Sequence, residues 1–209
     1  MTIVKNKKLK SSSKKWIARQ IKDPYVEKAK AEGYRSRAAY KIIEIQQKFK
    51  LIGKNSIVLD LGAAPGGWSQ VVSNIAKKVV AIDLLDMSPI QNVEFIKGDF
   101  TDECNMKQLE NLLQGEKADI VLSDMAPNTC GIQKVDHLRI ICLLETVFDF
   151  SKNVLNKNGS LVAKVFQGGA ENELLAQMKQ HFTNIKHFKP MSSRKESPEI
   201  YLVAMGFKF

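Results

Sequence analysis

The chain has 209 residues, 44% of them hydrophobic and 26% charged, which is the balance of one globular domain rather than of a disordered or fibrous chain. No apolar run is long enough to span a bilayer, and the lysine-rich first 30 residues lack the apolar segment of a secretory signal, so a cytoplasmic protein is expected. The net charge of +10 comes from the N-terminal quarter, where residues 1–50 hold 15 Lys/Arg against 4 Asp/Glu while the remainder holds 17 against 18.

Such a concentration is the footprint of a polyanion binder, and Trp16, Tyr25 and Tyr34 interleaved with the charges favour RNA, on whose bases aromatic rings stack. Residues 1–15 have no periodicity and read as disordered when unbound. The expected organisation is a basic arm over residues 1–27 and a single domain over 28–209. From Ser36, a plausible N-cap, Ala39, Ile42, Ile43, Gln46 and Phe49 follow helical spacing to about Lys50.

Next comes VLDLGAAPGGWSQ, Val58–Gln70, in which an apolar strand ends in a small-residue turn that opens a helix near Gly66. Gly62, Gly66 and Gly67 permit close backbone approach, and Pro65 presets φ near the helix start. Free amides there suit an anion, either a phosphate or the carboxylate of an amino-acid moiety. The dinucleotide pattern G-x-G-x-x-G is broken by Ala64, which weakens an NAD site.

Strand-like and helical runs then alternate: KKVVAID, NVEFIKGD, ADIVLSD, a helix near Val135–Leu155, GSLVAKVF, a helix near Asn172–Phe182, NIKHFK and EIYLVAMGF. This alternation predicts an α/β fold with a doubly wound, mostly parallel sheet. The last two runs have no helix between them and are expected to pair antiparallel at one end.

In such sheets ligands bind outside the carboxyl ends of the strands. Asp60, Asp83, Asp99 and Asp124 each close an apolar strand, and Asp83 lies near the spacing from Gly62 expected of an acid that accepts from ribose hydroxyls. Asp102 and Asp86 read as turn or cap residues and Asp119 as structural. Lys164 sits inside LVAKVF, where an unpaired ammonium is costly, so neighbouring charges must decide whether it carries a proton or can accept one. The cysteines Cys104, Cys130 and Cys142 form no C-x-x-C pair and the histidines do not cluster with them, so neither a disulfide framework nor a metal site is suggested.

Together SRAAYK, LDLGAAPGGWSQ, SDMAPN, AKVFQG and SSRKESPEIY resemble the RrmJ/FtsJ family of RNA ribose 2′-O-methyltransferases, most of all its bacterial ribosomal-RNA branch, from about Lys28 to the C-terminus. The resemblance implies a Rossmann-like fold that binds S-adenosylmethionine (SAM), a catalytic tetrad of Lys41, Asp124, Lys164 and Glu199, and no metal. It also implies that Gly62, Gly66, Gly67, Trp68, Asp83, Asp99 and Asp124 bind the methyl donor, with Asp83 towards the ribose and Asp99 towards the adenine. The implied partner is ribosomal RNA or the large ribosomal subunit, methylated at a uridine, and nothing demands more than a monomer. A base methyltransferase lacks support from a Pro-Cys pair or a D/N-P-P-aromatic motif, and an RNA-binding assembly factor would not need the four tetrad residues.

Overall fold

The computed structural model describes residues 23–127, 130–168 and 172–209. The basic segment 1–15, Trp16 and Asn128 of the SDMAPN motif fall outside them. The elements in chain order are α1 (Pro24–Ala31), α2 (Ala39–Phe49), β1 (Ile57–Leu61), α3 (Gly67–Val72), β2 (Lys78–Asp83), β3 (Val93–Lys97), α4 (Glu103–Leu112), β4 (Ala118–Ser123), α5 (Gln133–Val154), β5 (Leu155–Phe166), α6 (Asn172–His181), β6 (Phe182–Phe188) and β7 (Glu199–Phe207).

The strands form one seven-stranded sheet in the order β3-β2-β1-β4-β5-β7-β6. Strands β1 to β5 pair in parallel, and β7 runs antiparallel to both β5 and β6. Alternation along the strands sorts the core into two layers. Leu59, Leu61, Leu161, Ala163, Leu202 and Ala204 face α4, α5 and α6, meeting Leu109, Leu144, Phe148 and Met178. Val58, Leu122, Val162, Tyr201 and Val203 face the other way, onto Ala39, Ile42 and Ile45 of α2 and Trp68 of α3. Full burial of a side chain such as Ile42 or Ile45 contributes about 1.5–3 kcal/mol.

Local chemistry explains the element starts. Asp23 caps α1 by accepting from the Tyr25 amide, and Pro24 follows at the first helical position. Asp102 caps α4 by accepting from the Cys104 amide at 2.8 Å. Asp119 joins strands, accepting from Ile57 N at 2.8 Å and Asn156 Nδ2 at 3.0 Å, and Asp86 pairs with Lys97 on the surface. Ser36 is not the cap of α2: the helix begins after Ala38, and the Ser36 hydroxyl, buried with no hydrogen-bond partner, abuts Gly67. Close packing of the Ser36 turn on the start of α3 overrides its local preference. Pro65 likewise lies just ahead of α3, whose N-cap is Gly66.

Candidate active site

Beyond the carboxyl ends of the strands lies a crevice of about 690 Å³. Its base is the turn after β1, where Gly62 has a φ of +79° and any Cβ would fall 2.3 Å from Met125 Cγ. Glycine is therefore required there both by the left-handed backbone and by the approach of the segment after β4. Asp83, ending β2, accepts from Ala64 N at 2.9 Å through one carboxylate oxygen and from Leu85 N at 2.8 Å through the other, so it ties the β1 turn to its own loop. Each oxygen keeps acceptor capacity for a ligand donor. Asp99 accepts at one oxygen, Oδ1, from both Thr101 N (2.9 Å) and Thr101 Oγ1 (2.7 Å), and these bonds hold its carboxyl below the usual range. Leu84, Phe100 and Leu138 add apolar wall.

The crevice ends at a group of charges beneath α2. The period-2 rule that sends Leu122, Val162 and Tyr201 to the α2 face sends Asp124, Lys164 and Glu199 there too, each two residues away along its own segment. Lys41 descends from α2 to meet them. Its Nζ lies 2.7 Å from Glu199 Oε1 and 3.7 Å from Asp124 Oδ1, while Lys164 Nζ lies 2.8 Å from Asp124 Oδ1 and 3.9 Å from Glu199 Oε2. Lys164 also donates to the Asp124 carbonyl at 2.5 Å, and the Tyr201 hydroxyl donates to Asp124 Oδ1 at 2.5 Å. Burial alone would raise the Asp124 carboxyl, but Lys164, Lys41 and the hydrogen bonds from Lys164 and Tyr201 outweigh it and hold it below the usual carboxylate range. Burial and then the Asp124 charge push the Tyr201 phenol well above its ordinary value, so it serves as a donor.

Lys41, Asp124, Lys164 and Glu199, far apart in the polypeptide, thus meet in one cluster. Of the acids that close strands, Asp83, Asp99 and Asp124 line the crevice with Gly62. Asp60 does not: it is fully buried, accepts from Ser69 Oγ at 2.6 Å, and its other oxygen has no partner. Burial pushes its carboxyl up to about 7, against the Ser69 bond and aided by Asp124 and Asp83. Gly67 and Trp68 line a recess of about 30 Å³ between the β1 turn and Asp124. The Trp68 indole packs 5.5 Å from the Tyr201 ring and donates to the Ala38 carbonyl at 2.9 Å. Gly66 packs against Met87, Ile90 and Arg35.

Two contributions went unread in the sequence. Tyr201 bonds Asp124, and the outer crevice wall comes from α5, through Val135, Leu138, Arg139, Cys142, Leu143 and Thr146. The signal for the wall was present, since Val135, Leu138, Cys142 and Thr146 recur at helical spacing and Leu138 and Cys142 are exposed.

The model of the FtsJ-like methyltransferases matches residues 34–207. The chain belongs to the FtsJ-like methyltransferase family. It is 52% identical over 211 residues, 97% of the chain and 92% of the relative, to the ribosomal RNA large subunit methyltransferase E of Rickettsia bellii. The enzyme of the same name from Gluconobacter oxydans is 52% identical over 199 residues, covering 95% of the chain and 74% of the relative. Among solved structures, a Plasmodium falciparum protein assigned as a ribosomal RNA methyltransferase matches with a TM-score of 0.74 and 36% identity, over 83% of this chain and 98% of that one. A Streptococcus mutans protein assigned as a methyltransferase and solved in complex with SAH shares the fold, with a TM-score of 0.51 and 18% identity over 82% of this chain and 96% of that one. The described part of this FtsJ-like methyltransferase contains no helix long and apolar enough to cross a membrane.

Proposed function

We propose that the chain is a SAM-dependent RNA ribose 2′-O-methyltransferase that modifies a uridine of 23S ribosomal RNA in the large ribosomal subunit. The observation that carries this reading is the ring of paired charges at the end of the crevice, in which Lys164 Nζ is bonded twice by Asp124, through Oδ1 at 2.8 Å and the carbonyl at 2.5 Å. The substrate class rests on the motif resemblance and on relatives named as large-subunit ribosomal RNA methyltransferases.

The residues of the crevice suit SAM. Asp83 and Asp99 are acceptors with capacity left, matching the donors of a ribose diol and an adenine amine, and Leu84, Phe100 and Leu138 suit the apolar faces of an aromatic ring. Gly62, Gly66, Gly67 and Trp68 would approach the amino-acid end, with Asp124 beside it. Bound there, the cofactor supplies a sulfonium methyl group open to in-line attack.

The chain's own residues do the rest. To act as base the Lys164 ammonium must first give up a proton to water; the amine then has two hydrogens and one lone pair, and with both hydrogens directed at Asp124 the lone pair can accept the proton of a ribose 2′-hydroxyl. As the new O–C bond forms and the S–C bond breaks, that proton stays on Lys164 and later leaves to water. Lys41, steadied by Glu199, stabilises charge developing on the oxygen. Asp124 and Glu199 balance the two lysines so that positive charge does not accumulate beside the sulfonium.

Lys164→Ala is expected to abolish methyl transfer to large-subunit ribosomal RNA while SAM still binds, with label from methyl-tritiated SAM recovered on ribose in the unsubstituted protein. Near-normal turnover in the variant, or label on the base, would overturn the reading.

A further inference from the structure

Helix α2 carries one acid, Glu44, three residues beyond Lys41 and outside the tetrad. Its carboxylate accepts from two successive backbone amides of the segment between β6 and β7, Met191 N at 2.5 Å on Oε2 and Ser192 N at 2.9 Å on Oε1. Arg37, in the turn that leads into α2, donates to the Ser192 carbonyl, and its other terminal nitrogen lies 2.7 Å from Asp23. Asp23 in turn accepts from Arg194 Nε at 3.0 Å. The segment is thus clasped at consecutive residues by charged groups.

Between these clasps lies Ser193, 5% exposed, whose hydroxyl donates at 3.0 Å to Glu199 Oε1. That oxygen is the one that meets Lys41 Nζ at 2.7 Å. A path of contacts therefore leaves α2 at Glu44, crosses Ser192 and Ser193, and returns to α2 at Lys41 through Glu199. Lys41 and Glu44 lie on one helix face, as residues three apart do, so the helix that supplies a tetrad lysine also sets the segment that orients the lysine's partner. Glu199 has three rotatable side-chain bonds and stands at the start of β7; Ser193 and Lys41 meet its Oε1, Lys164 lies 3.9 Å from its Oε2, and the Tyr201 hydroxyl also interacts with the carboxylate. Loss of the Ser193 bond would leave Oε1 to Lys41 alone and let the carboxylate turn towards Lys164 and Tyr201, so that it pairs with Lys41 only part of the time.

We propose that Glu44 and Ser193 are positioning residues for methyl transfer: Glu44 fixes the segment before β7 so that Ser193 holds Glu199 against Lys41. Two amide bonds to one carboxylate are charge-assisted and specify both position and rotation of the segment. The role rests on the tetrad reading above, because it acts through Glu199 alone.

The test is a double-mutant cycle on the full chain, with large-subunit ribosomal RNA or particles as acceptor and calorimetric SAM binding as the check on folding. Ser193→Ala is expected to lower kcat about tenfold, the scale on which small misplacements of reacting groups act, with SAM affinity unchanged. In a Glu199→Gln background the same change is expected to have no further effect, because the group it orients has already been altered. Glu44→Gln, which turns an amide donor towards one of the two loop amides, is expected to lower kcat similarly and to add nothing to Ser193→Ala. Wild-type kcat in Ser193→Ala, or an undiminished loss in the Glu199→Gln background, would overturn the proposal, as would a Glu44→Gln effect that multiplies with that of Ser193→Ala. Absence of ribose methylation by the unsubstituted chain would instead remove the functional reading itself.

Discussion

A lysine within a buried strand demands compensation, and Lys164 receives it from one residue twice: the carboxylate and the carbonyl of Asp124. Asp124 is consequently the hinge of the cluster, meeting both lysines and Tyr201. Replacing it by alanine leaves two lysines against Glu199, and breaking a buried pair of this kind costs about 3–5 kcal/mol. A stability loss of that order in urea denaturation of Asp124→Ala is expected, together with loss of methyl transfer; a variant as stable as the parent would show that the lysines do not depend on it. Asp60 presents the opposite sign. Its folded-state value near 7 lies above the ordinary 3.8, so the folded protein holds the proton more tightly than the unfolded chain does. The stabilisation this provides is complete below about pH 4 and is lost as pH rises through about 7. The urea midpoint of the parent is therefore expected to fall relative to that of Asp60→Asn between pH 5 and 7.5, and parallel pH profiles would refute the assignment.

At the scale of elements, the sheet was readable because short apolar strand runs alternate with helical ones. EIYLVAMGF forms β7 over its full length, and its pairing with β6 follows the expectation of an antiparallel C-terminal pair. The convergence of Asp124, Lys164 and Glu199 on one face follows from the two-residue period of strand side chains, although Lys41 and Glu199 reached the tetrad only through the family resemblance, since neither has a local sequence feature that says what it meets. Helix α1 escaped notice despite Asp23-Pro24, a good cap and first-turn pair, because the surrounding lysines read as an arm. The clasp of Glu44 on Met191 and Ser192 could not be read at all: it joins residues 147 and 148 positions apart through backbone amides, which leave no trace in side-chain identity. The β1 turn reads as a ligand turn in the sequence, but part of the glycine requirement at Gly62 comes from Met125, in the segment after the neighbouring strand β4. Gly62→Ala must therefore meet both a positive φ and a clash, and a destabilisation of about 1–3 kcal/mol with loss of SAM binding is expected. Intact SAM affinity in that variant, measured calorimetrically, would show that the turn can yield.

The whole molecule divides its work by charge. Residues 51–209 carry 17 basic and 18 acidic residues, so three of the four clustered side chains, Asp124, Lys164 and Glu199, sit in a part of the chain with almost no net charge, while the excess, Lys41 included, lies in residues 1–50. A near-neutral stretch such as 51–209 attracts a polyanion weakly at a distance, whereas the six lysines of residues 1–15, with no acid among them, attract it irrespective of base sequence. Binding and chemistry should then separate on truncation. Each phosphate neutralised on single-stranded RNA contributes roughly 0.7 to the slope of log affinity against log salt, so removal of residues 1–15 is expected to flatten that slope by about 2–4 and to weaken binding at low salt far more than at high salt. Turnover at saturating RNA should persist, because Lys41, Asp124, Lys164 and Glu199 and the segments that hold them all lie within residues 23–209. Titrations of fluorescent RNA across a salt series, run beside methyl incorporation at saturation, separate the two effects. An unchanged slope would mean that residues 1–15 make no contact with RNA, and a fall in saturating turnover would mean that they help to shape the site itself.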